Sequence, residues 1–112
     1  MLTPGDVVEL DLGVPTGSGA GLRRPAIVVT AARVLTGRPN VVQVVPLTRT
    51  IRLSSAEVVI DPDAGNRLPA LSSAQCQHVR SVATARILER TGNVGPVALG
   101  EVRETLALLL DL

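Results

Sequence analysis

The sequence predicts an α+β fold in which a small, strongly bent sheet, or partly open barrel, carries helices at its edges. Short apolar runs separated by turn signals occupy most of the chain before residue 83, and helical spacing of apolar residues appears only later. The 112 residues suffice for one domain of common size, and no linker or internal repeat divides them. We therefore expect a single domain over residues 1–112.

Five segments have the pattern of strands. Residues 7–12 alternate apolar and acidic side chains, which is typical of a half-buried strand. Residues 26–29, 41–45 and 57–60 are nearly continuous runs rich in β-branched side chains, as in buried strands. Residues 75–82 alternate less regularly and form the fifth predicted strand.

Helical signals come late in the chain. Residues 84–91 are predicted to form a short helix that ends at Gly92 and Asn93, and residues 30–37 another short one. A longer amphipathic helix from Pro96 onward is indicated by apolar residues at three- and four-residue spacing: Leu99, Val102, Leu106 and Leu109. Leucines outside this stripe predict contact with a further surface, such as a second copy of the chain: Leu108, Leu110 and Leu112.

The composition excludes several kinds of site. Phe, Tyr and Trp are absent, so bases cannot stack on aromatic rings. A single cysteine excludes an internal disulfide and a cysteine-based zinc site, and a single histidine leaves little for other transition metals. No apolar run approaches the ~20 residues that span a bilayer, and no signal-peptide pattern is visible. We expect a soluble cytoplasmic protein with no metal, cofactor or membrane partner.

Charge is unevenly distributed along a nearly neutral chain. All eleven basic residues are arginines, and the formal net charge is +1. No acid lies between Leu12 and Ala56, a stretch that holds six arginines: Arg23, Arg24, Arg33, Arg38, Arg49 and Arg52. This pattern is typical of a surface that binds an anion, and equally of arginines that solvate a loop-rich half.

Two segments hold candidate binding residues. Residues 13–25 form a long glycine-rich connection that ends in Arg23 and Arg24, and its glycines match no dinucleotide or P-loop motif because they lead into a strand. Thr48 and Arg49 stand at the exit of the third predicted strand, where a hydroxyl and a guanidinium suit phosphate binding.

These segments resemble the MazF/PemK toxin family. The resemblance extends over essentially the whole chain and includes the leucine-rich helix at its end. Five motifs carry it, in this order: Gly5-Asp6-Val7-Val8, Arg24-Pro25-Ala26-Ile27-Val28-Val29, Val45-Pro46-Leu47-Thr48, His78-Val79-Arg80-Ser81-Val82 and Arg86-Ile87. It implies a homodimeric, SH3-like antiparallel barrel of the CcdB/PemK/MazF type. It also implies metal-independent, sequence-selective cleavage of single-stranded RNA and neutralisation by a cognate MazE-like antitoxin.

The resemblance implies roles for individual residues. Arg24 and Thr48 match the family's catalytic arginine and threonine. Contacts to RNA are expected from Ser18, Arg23, Arg49, His78 and Arg80. His78 stands where relatives often carry a substrate-contacting glutamine, so that contact is not transferred. Relatives also often carry acidic residues where this chain has Gly19 and Ala83, so their cleavage specificity is not transferred either.

The single histidine leaves two interpretations open. His78 can exchange a proton near neutral pH and act as acid or base, or it contacts substrate or a backbone carbonyl only. On a strand, Cys76 would share a face with His78, which allows either a thiolate nucleophile or a buried, inert thiol.

The predicted reaction is attack of an RNA 2′-hydroxyl on the neighbouring phosphate. Arg24 and Thr48 would stabilise the negative charge that grows on the phosphate oxygens. Two other functions stay open: a CcdB-like toxin that poisons DNA gyrase without nuclease activity, and a small RNA-binding barrel without catalysis. Arg24 and Thr48 favour the nuclease, because a gyrase poison needs neither group at a phosphate.

Overall fold

The computed structural model describes residues 1–13 and 22–112, and over these residues the chain forms seven strands and two α-helices. The elements in chain order are β1 (Asp6–Asp11), β2 (Arg23–Val28), α1 (Ala32–Leu35), β3 (Val41–Thr48), β4 (Glu57–Ile60), β5 (Ser72–Gln75), β6 (Arg80–Ala83), β7 (Ile87–Asn93) and α2 (Gly95–Leu110). Two 3₁₀ turns, Cys76–His78 and Thr84–Arg86, precede β6 and β7. The predicted α+β class is confirmed.

All strand pairs are antiparallel and form one bent, open sheet in the order β4-β5-β3-β2-β1-β7, with β6 also on β3. The bend follows from β3, which pairs with β6 over Val41–Val44 and with β5 at Leu47 and Thr48 on the same edge. Pro46 lies between these two partners, where a residue without a backbone N–H breaks no ladder bond.

Side-chain alternation divides the core into two layers, one on each face of the sheet. On one face Val7, Ile27, Val45 and Leu47 pack against α2 through its buried residues Leu99, Val102 and Leu106. On the other face, Val8, Ala26, Val28, Val42 and Val44 pack with Leu35 of α1 and Val82 of β6. Both layers are aliphatic, as the composition requires.

Two predictions about local structure are wrong. Residues 84–91 form a 3₁₀ turn and the start of β7 instead of a helix, because β7 pairs along the whole of β1 and this pairing outweighs local helical preference. Residues 75–82 are not one strand, since the turn Cys76–His78 separates β5 from β6. Cys76 and His78 therefore share no strand face: Cys76 is buried and His78 is exposed.

The predicted terminal helix is confirmed, and its leucines are buried or exposed as the pattern predicts, except for Leu109. Leu99, Val102 and Leu106 are buried, whereas Leu109, expected in the buried stripe, is 45% exposed. Leu108, Leu110 and Leu112 are exposed as well. Within the described part of the chain, no helix is long and apolar enough to cross a membrane.

Asp6 joins the N-terminal turn to β7. Its fully buried carboxylate accepts hydrogen bonds from the N–H (2.7 Å) and hydroxyl (2.8 Å) of Thr3 and from Asn93 Nδ2 (3.0 Å), and it pairs with Arg90 Nε at 2.8 Å. Burial alone would raise the pKa of Asp6, but the bonds from Thr3, Arg90 and Asn93 together lower it below its ordinary value.

We expect the free energy of unfolding to fall as the solution becomes acidic. Because the pKa of Asp6 is lower in the folded chain than in the unfolded chain, its contribution is present above the ordinary aspartate value and is lost as pH falls through the lowered one. Urea unfolding followed by far-ultraviolet circular dichroism from pH 7 to pH 2 measures this. Asp6→Asn should be less stable at pH 7 by about 1–3 kcal/mol and should lose part of the pH dependence.

The exposed Asp111 provides the matched control, since Asp111→Asn should retain the full pH dependence. Equal pH profiles for the wild-type protein and Asp6→Asn would contradict the role given to the Asp6 carboxylate.

Candidate active site

Arg24 and Thr48 are brought together by the register of β2 and β3. Ala26 and Pro46 form the last pair of the β2–β3 ladder, and Arg24 and Thr48 each lie two residues beyond it on their strands. Side chains two residues apart on a strand project from the same face, and Arg24 and Thr48 line the same two hollows. Two strands that are distant in sequence thus hold a guanidinium and a hydroxyl side by side.

Pro25 opens the sheet at this point. The N–H of Val29 donates to the Gln43 carbonyl at 3.0 Å, so alternate nitrogens along β2, including that of Pro25, face β3. Pro25 has no N–H to donate to Leu47, and the β2–β3 ladder accordingly ends at the Ala26–Pro46 pair. Two surface hollows lie beside Arg24 and Thr48, just beyond this last pair.

The Thr48 hydroxyl is oriented by its own loop. The backbone N–H of Thr50 donates to Thr48 Oγ1 at 3.1 Å. A hydroxyl oxygen that already accepts one bond still has its hydrogen to donate. The half-buried Thr48 therefore presents a fixed donor at the end of β3.

Two hollows meet at this pair of residues and share Arg24, Pro25, Leu47 and Thr48 as their common wall. The arginine hollow, about 300 Å³, lies on the Leu10–Pro46 side and is lined by three arginines, Arg24, Arg52 and Arg80, and by Gln75. The mixed hollow, about 620 Å³, lies on the Val7 side and is lined by four arginines, Arg23, Arg24, Arg49 and Arg67, and two carboxylates, Glu9 and Glu89.

The arginine hollow is lined by cations and neutral donors, with no acidic residue among its described lining. Arg52 is held there by an ion pair of 3.5 Å with Glu57, whose side chain is only 1% exposed. Glu57 also accepts bonds from Gln77 Nε2 (2.6 Å) and the Ser73 hydroxyl (2.9 Å). The bond from Gln77, with those from Ser73 and Arg52, lowers the pKa of Glu57, so its charge persists in mildly acidic solution.

Most of the predicted site residues lie at the two hollows. Arg24 and Thr48 line both hollows, Arg80 lines the arginine hollow, and Arg23 and Arg49 line the mixed hollow. His78 is exposed on its 3₁₀ turn and lines neither hollow. Ser18 lies outside the described residues.

Among the charged and amide side chains that line the two hollows, five were not predicted: Glu9, Arg52, Arg67, Gln75 and Glu89. Arg52 belongs to the acid-free stretch and could have been found from it. The alternation that places Glu9 on the polar face of β1 does not reveal that this face borders a hollow.

Cys76 does not fit the role of a nucleophile. Burial raises the pKa of its thiol to about 11, and Glu57 adds to this effect. The sulfur lies 3.9 Å from the Val102 carbonyl, under α2. Among residues 1–13 and 22–112, no group of three or more His, Cys, Asp or Glu side chains is arranged to hold a metal ion.

Another hollow, of about 550 Å³, lies away from these residues. It is lined by the N-terminus, α1 and the start of β7, including Leu2, Leu35 and Ile87. None of the predicted site residues lines it. The predicted site residues thus indicate the two hollows at Arg24 and Thr48 as the functional surface.

Comparison with known proteins identifies the family of this chain. Residues 3–110 match the family described as PemK-like, MazF-like toxin of type II toxin-antitoxin system. The chain belongs to this family. It is 35% identical to a Mycobacterium tuberculosis protein named Endoribonuclease MazF9, over 100% of this chain and 98% of the relative.

Solved structures of the family have the same fold. MazF in a MazE-MazF crystal structure from Deinococcus radiodurans is 26% identical, with a TM-score of 0.80 over 99% of this chain and 96% of the other. An endoribonuclease in complex with its cognate antitoxin from a mycobacterial species gives a TM-score of 0.79 at 20% identity, over 100% of this chain and 97% of that one. The second similarity concerns the fold alone.

Proposed function

We propose that this protein is the endoribonuclease toxin of a toxin-antitoxin pair and cleaves single-stranded RNA with its scissile phosphate in the arginine hollow. The observation that carries the proposal is the placement of Arg24 beside Thr48, with the Thr48 hydrogen left free by the Thr50 bond. A hollow lined by guanidiniums, a hydroxyl and an amide complements a phosphodiester.

The proposed reaction is an internal phosphoryl transfer. The 2′-oxygen forms a bond to phosphorus while the bond to the 5′-oxygen breaks, which gives a 2′,3′-cyclic phosphate and a new 5′-hydroxyl. Charge accumulates on the non-bridging oxygens, where Arg24 offers two parallel N–H donors and Thr48 a third donor. The hollow is open to water, which accepts the 2′-hydroxyl proton and supplies one to the leaving oxygen.

The remaining predicted residues act in binding. Arg23, Arg49 and Arg80 extend the cationic surface on both sides of the common wall, along the path that the phosphates of a single strand would follow. His78, two residues before Arg80, and Ser18 are proposed as further RNA contacts. A non-catalytic barrel or a gyrase poison would not need the Arg24–Thr48 pair.

We propose that a cognate antitoxin, MazE-like in its chemistry, restrains this toxin in the cytoplasm. The Deinococcus radiodurans relative is solved as a MazE-MazF pair, which supports such a partner. Six arginines line the two hollows, so an acidic segment of the antitoxin would cover the same surface as RNA. High salt should weaken that complex.

We also propose a homodimer that buries the leucines at the end of α2. Leu108 and Leu112 are 83% and 90% exposed, and a shallow hollow lies between them and Glu104. Leu108→Glu should raise the dimer dissociation constant at least about tenfold, as loss of a central apolar contact typically does. Light scattering over a dilution series measures the dissociation constant. Glu101→Gln, exposed on α2 and outside this hollow, is the control, and a wild-type monomer at all concentrations would refute the dimer.

Mapping the cut ends of a mixed RNA pool tests the proposed activity. Purified protein should cut RNA in EDTA and leave 5′-hydroxyl ends and cyclic phosphates. Intact RNA under these conditions, or cleavage only after addition of a divalent metal, would overturn the proposal.

A further inference from the structure

We infer that the mixed hollow is a nucleobase subsite in which Glu9 selects guanine next to the scissile phosphate. This inference rests on the proposed ribonuclease function and extends it to the base that the enzyme reads. It follows from the contrast in charge between two hollows that share one wall.

The charges decide which hollow takes which part of a nucleotide. The arginine hollow has no acidic lining among the described residues, whereas Glu9 and Glu89 line the mixed hollow. The two carboxylates make the mixed hollow the less favourable of the two for the scissile phosphate, and they accept hydrogen bonds from the N–H groups of a base. With the phosphate in the arginine hollow, the mixed hollow receives a base of an adjoining nucleotide.

One oxygen of the Glu9 carboxylate lacks a hydrogen bond within the described part of the chain. This Oε2 atom is buried and has no hydrogen-bond partner among the described residues, and neither Glu9 nor Glu89 lies within 4.0 Å of an arginine nitrogen there. A buried acceptor without a donor costs about 1–3 kcal/mol. A ligand that donates N–H groups would remove this cost after a rotation of the Glu9 side chain.

The strand register increases that cost. Glu9 on β1 lies directly opposite Glu89 on β7, and like charges at such positions destabilise a sheet. On its other side Glu9 pairs with Pro25, whose side chain has no hydrogen-bond donor. A buried carboxylate oxygen that lowers stability and has no hydrogen-bond donor in the described part of the chain is typical of a binding site.

Guanine fits this set of groups best. Its Watson–Crick edge offers two adjacent donors, N1–H and the 2-amino group, which match the two oxygens of one carboxylate. Its O6 and N7 accept a forked pair of bonds from an arginine, and Arg23, Arg49 and Arg67 line the same hollow. Uracil offers a single N–H between two carbonyl oxygens, which a carboxylate repels.

A single-atom change in the RNA tests the subsite. Cut ends from a random pool should first show guanine enriched at one position beside the cut. Replacing that guanosine with inosine removes only the 2-amino group, and should lower the wild-type kcat/KM about tenfold or more. Glu9→Gln should cut the two RNAs at similar rates, while Glu101→Gln, exposed on α2 and outside both hollows, should keep the wild-type preference.

The outcomes separate this inference from the proposed function. Cleavage without guanine enrichment, or an inosine effect that persists in Glu9→Gln, would overturn the subsite and leave the nuclease intact. If the wild-type protein cuts no RNA, the function fails, and binding of 2′-O-methyl RNAs decides the subsite. Weaker wild-type binding of the inosine RNA, abolished in Glu9→Gln, supports the subsite, and equal binding refutes it.

Discussion

Arg24→Ala is expected to lower the rate of RNA cleavage by about 10²–10³, as loss of one preorganised donor to a transition-state oxyanion does. Arg24 is exposed, and within the described chain its guanidinium forms no salt bridge. The substitution should therefore leave the free energy of unfolding within about 0.5 kcal/mol of the wild-type value. Single-turnover cleavage of a labelled oligonucleotide and a urea titration measure both quantities.

Substitutions at Thr48 test the second half of the pair. Thr48→Ala should lose most activity, whereas Thr48→Ser keeps the hydroxyl that accepts the Thr50 N–H and should retain much of it. The double variant should be little worse than the poorer single one, because groups that act on one phosphate are not additive. Arg33→Ala, at an exposed position on α1, is the control and should cleave RNA at the wild-type rate. Cleavage at the wild-type rate by both Arg24→Ala and Thr48→Ala would refute the site.

Most strands of the sheet can be predicted from the sequence, because the burial of a strand determines which of its successive residues are apolar. The β-branched runs of β3 and β4 and the alternation of β1 are visible residue by residue. β7 is different: Ile87–Asn93 has few apolar residues and mostly exposed side chains, and its conformation comes from pairing with β1, about 80 residues away. Such a strand has no local signal that separates it from a short helix.

Only those residues of the candidate site that belong to a recognisable sequence motif could be predicted. The family resemblance predicts Arg24 and Thr48 from the motifs Arg24-Pro25 and Pro46-Leu47-Thr48, and both residues line the same two hollows. Gln75 and Arg67 come from β5 and from the segment before it, and nothing near them in sequence indicates that they border a hollow. Their role depends on how β5 pairs with the end of β3, which is a property of the whole sheet.

Gly92→Ala is expected to destabilise the protein by about 3 kcal/mol, the upper part of the range for overpacked cores. A Cβ atom at Gly92 would lie 2.5 Å from the Asn66 carbonyl oxygen and 2.6 Å from that of Gly65. These are backbone atoms, so no side-chain rotation relieves the overlap. Gly92 sits in β7 opposite Val7, and a shift of β7 would disturb the core layer under α2.

The loop that Gly92 meets cannot easily move away. Asn66 is buried, and its side chain accepts from the N–H groups of Asp63 (3.0 Å) and Leu68 (2.9 Å) and donates to the Asp61 carbonyl (2.8 Å). The Gly65 carbonyl in turn accepts the Asn93 N–H at 3.0 Å. Relief of the overlap would break one of these bonds.

Gly100→Ala is a control that should change stability in the opposite direction. Gly100 lies inside α2, and a Cβ added there meets no atom within 4 Å. Alanine in a helix interior is favoured over glycine by about 1 kcal/mol, so this variant should be as stable as the wild-type protein or more so. Urea midpoints of the two variants give the comparison directly. Equal urea midpoints for Gly92→Ala and the wild-type protein would contradict this prediction. They would show that the loop of residues 61–68 can move away from β7 without loss of stability.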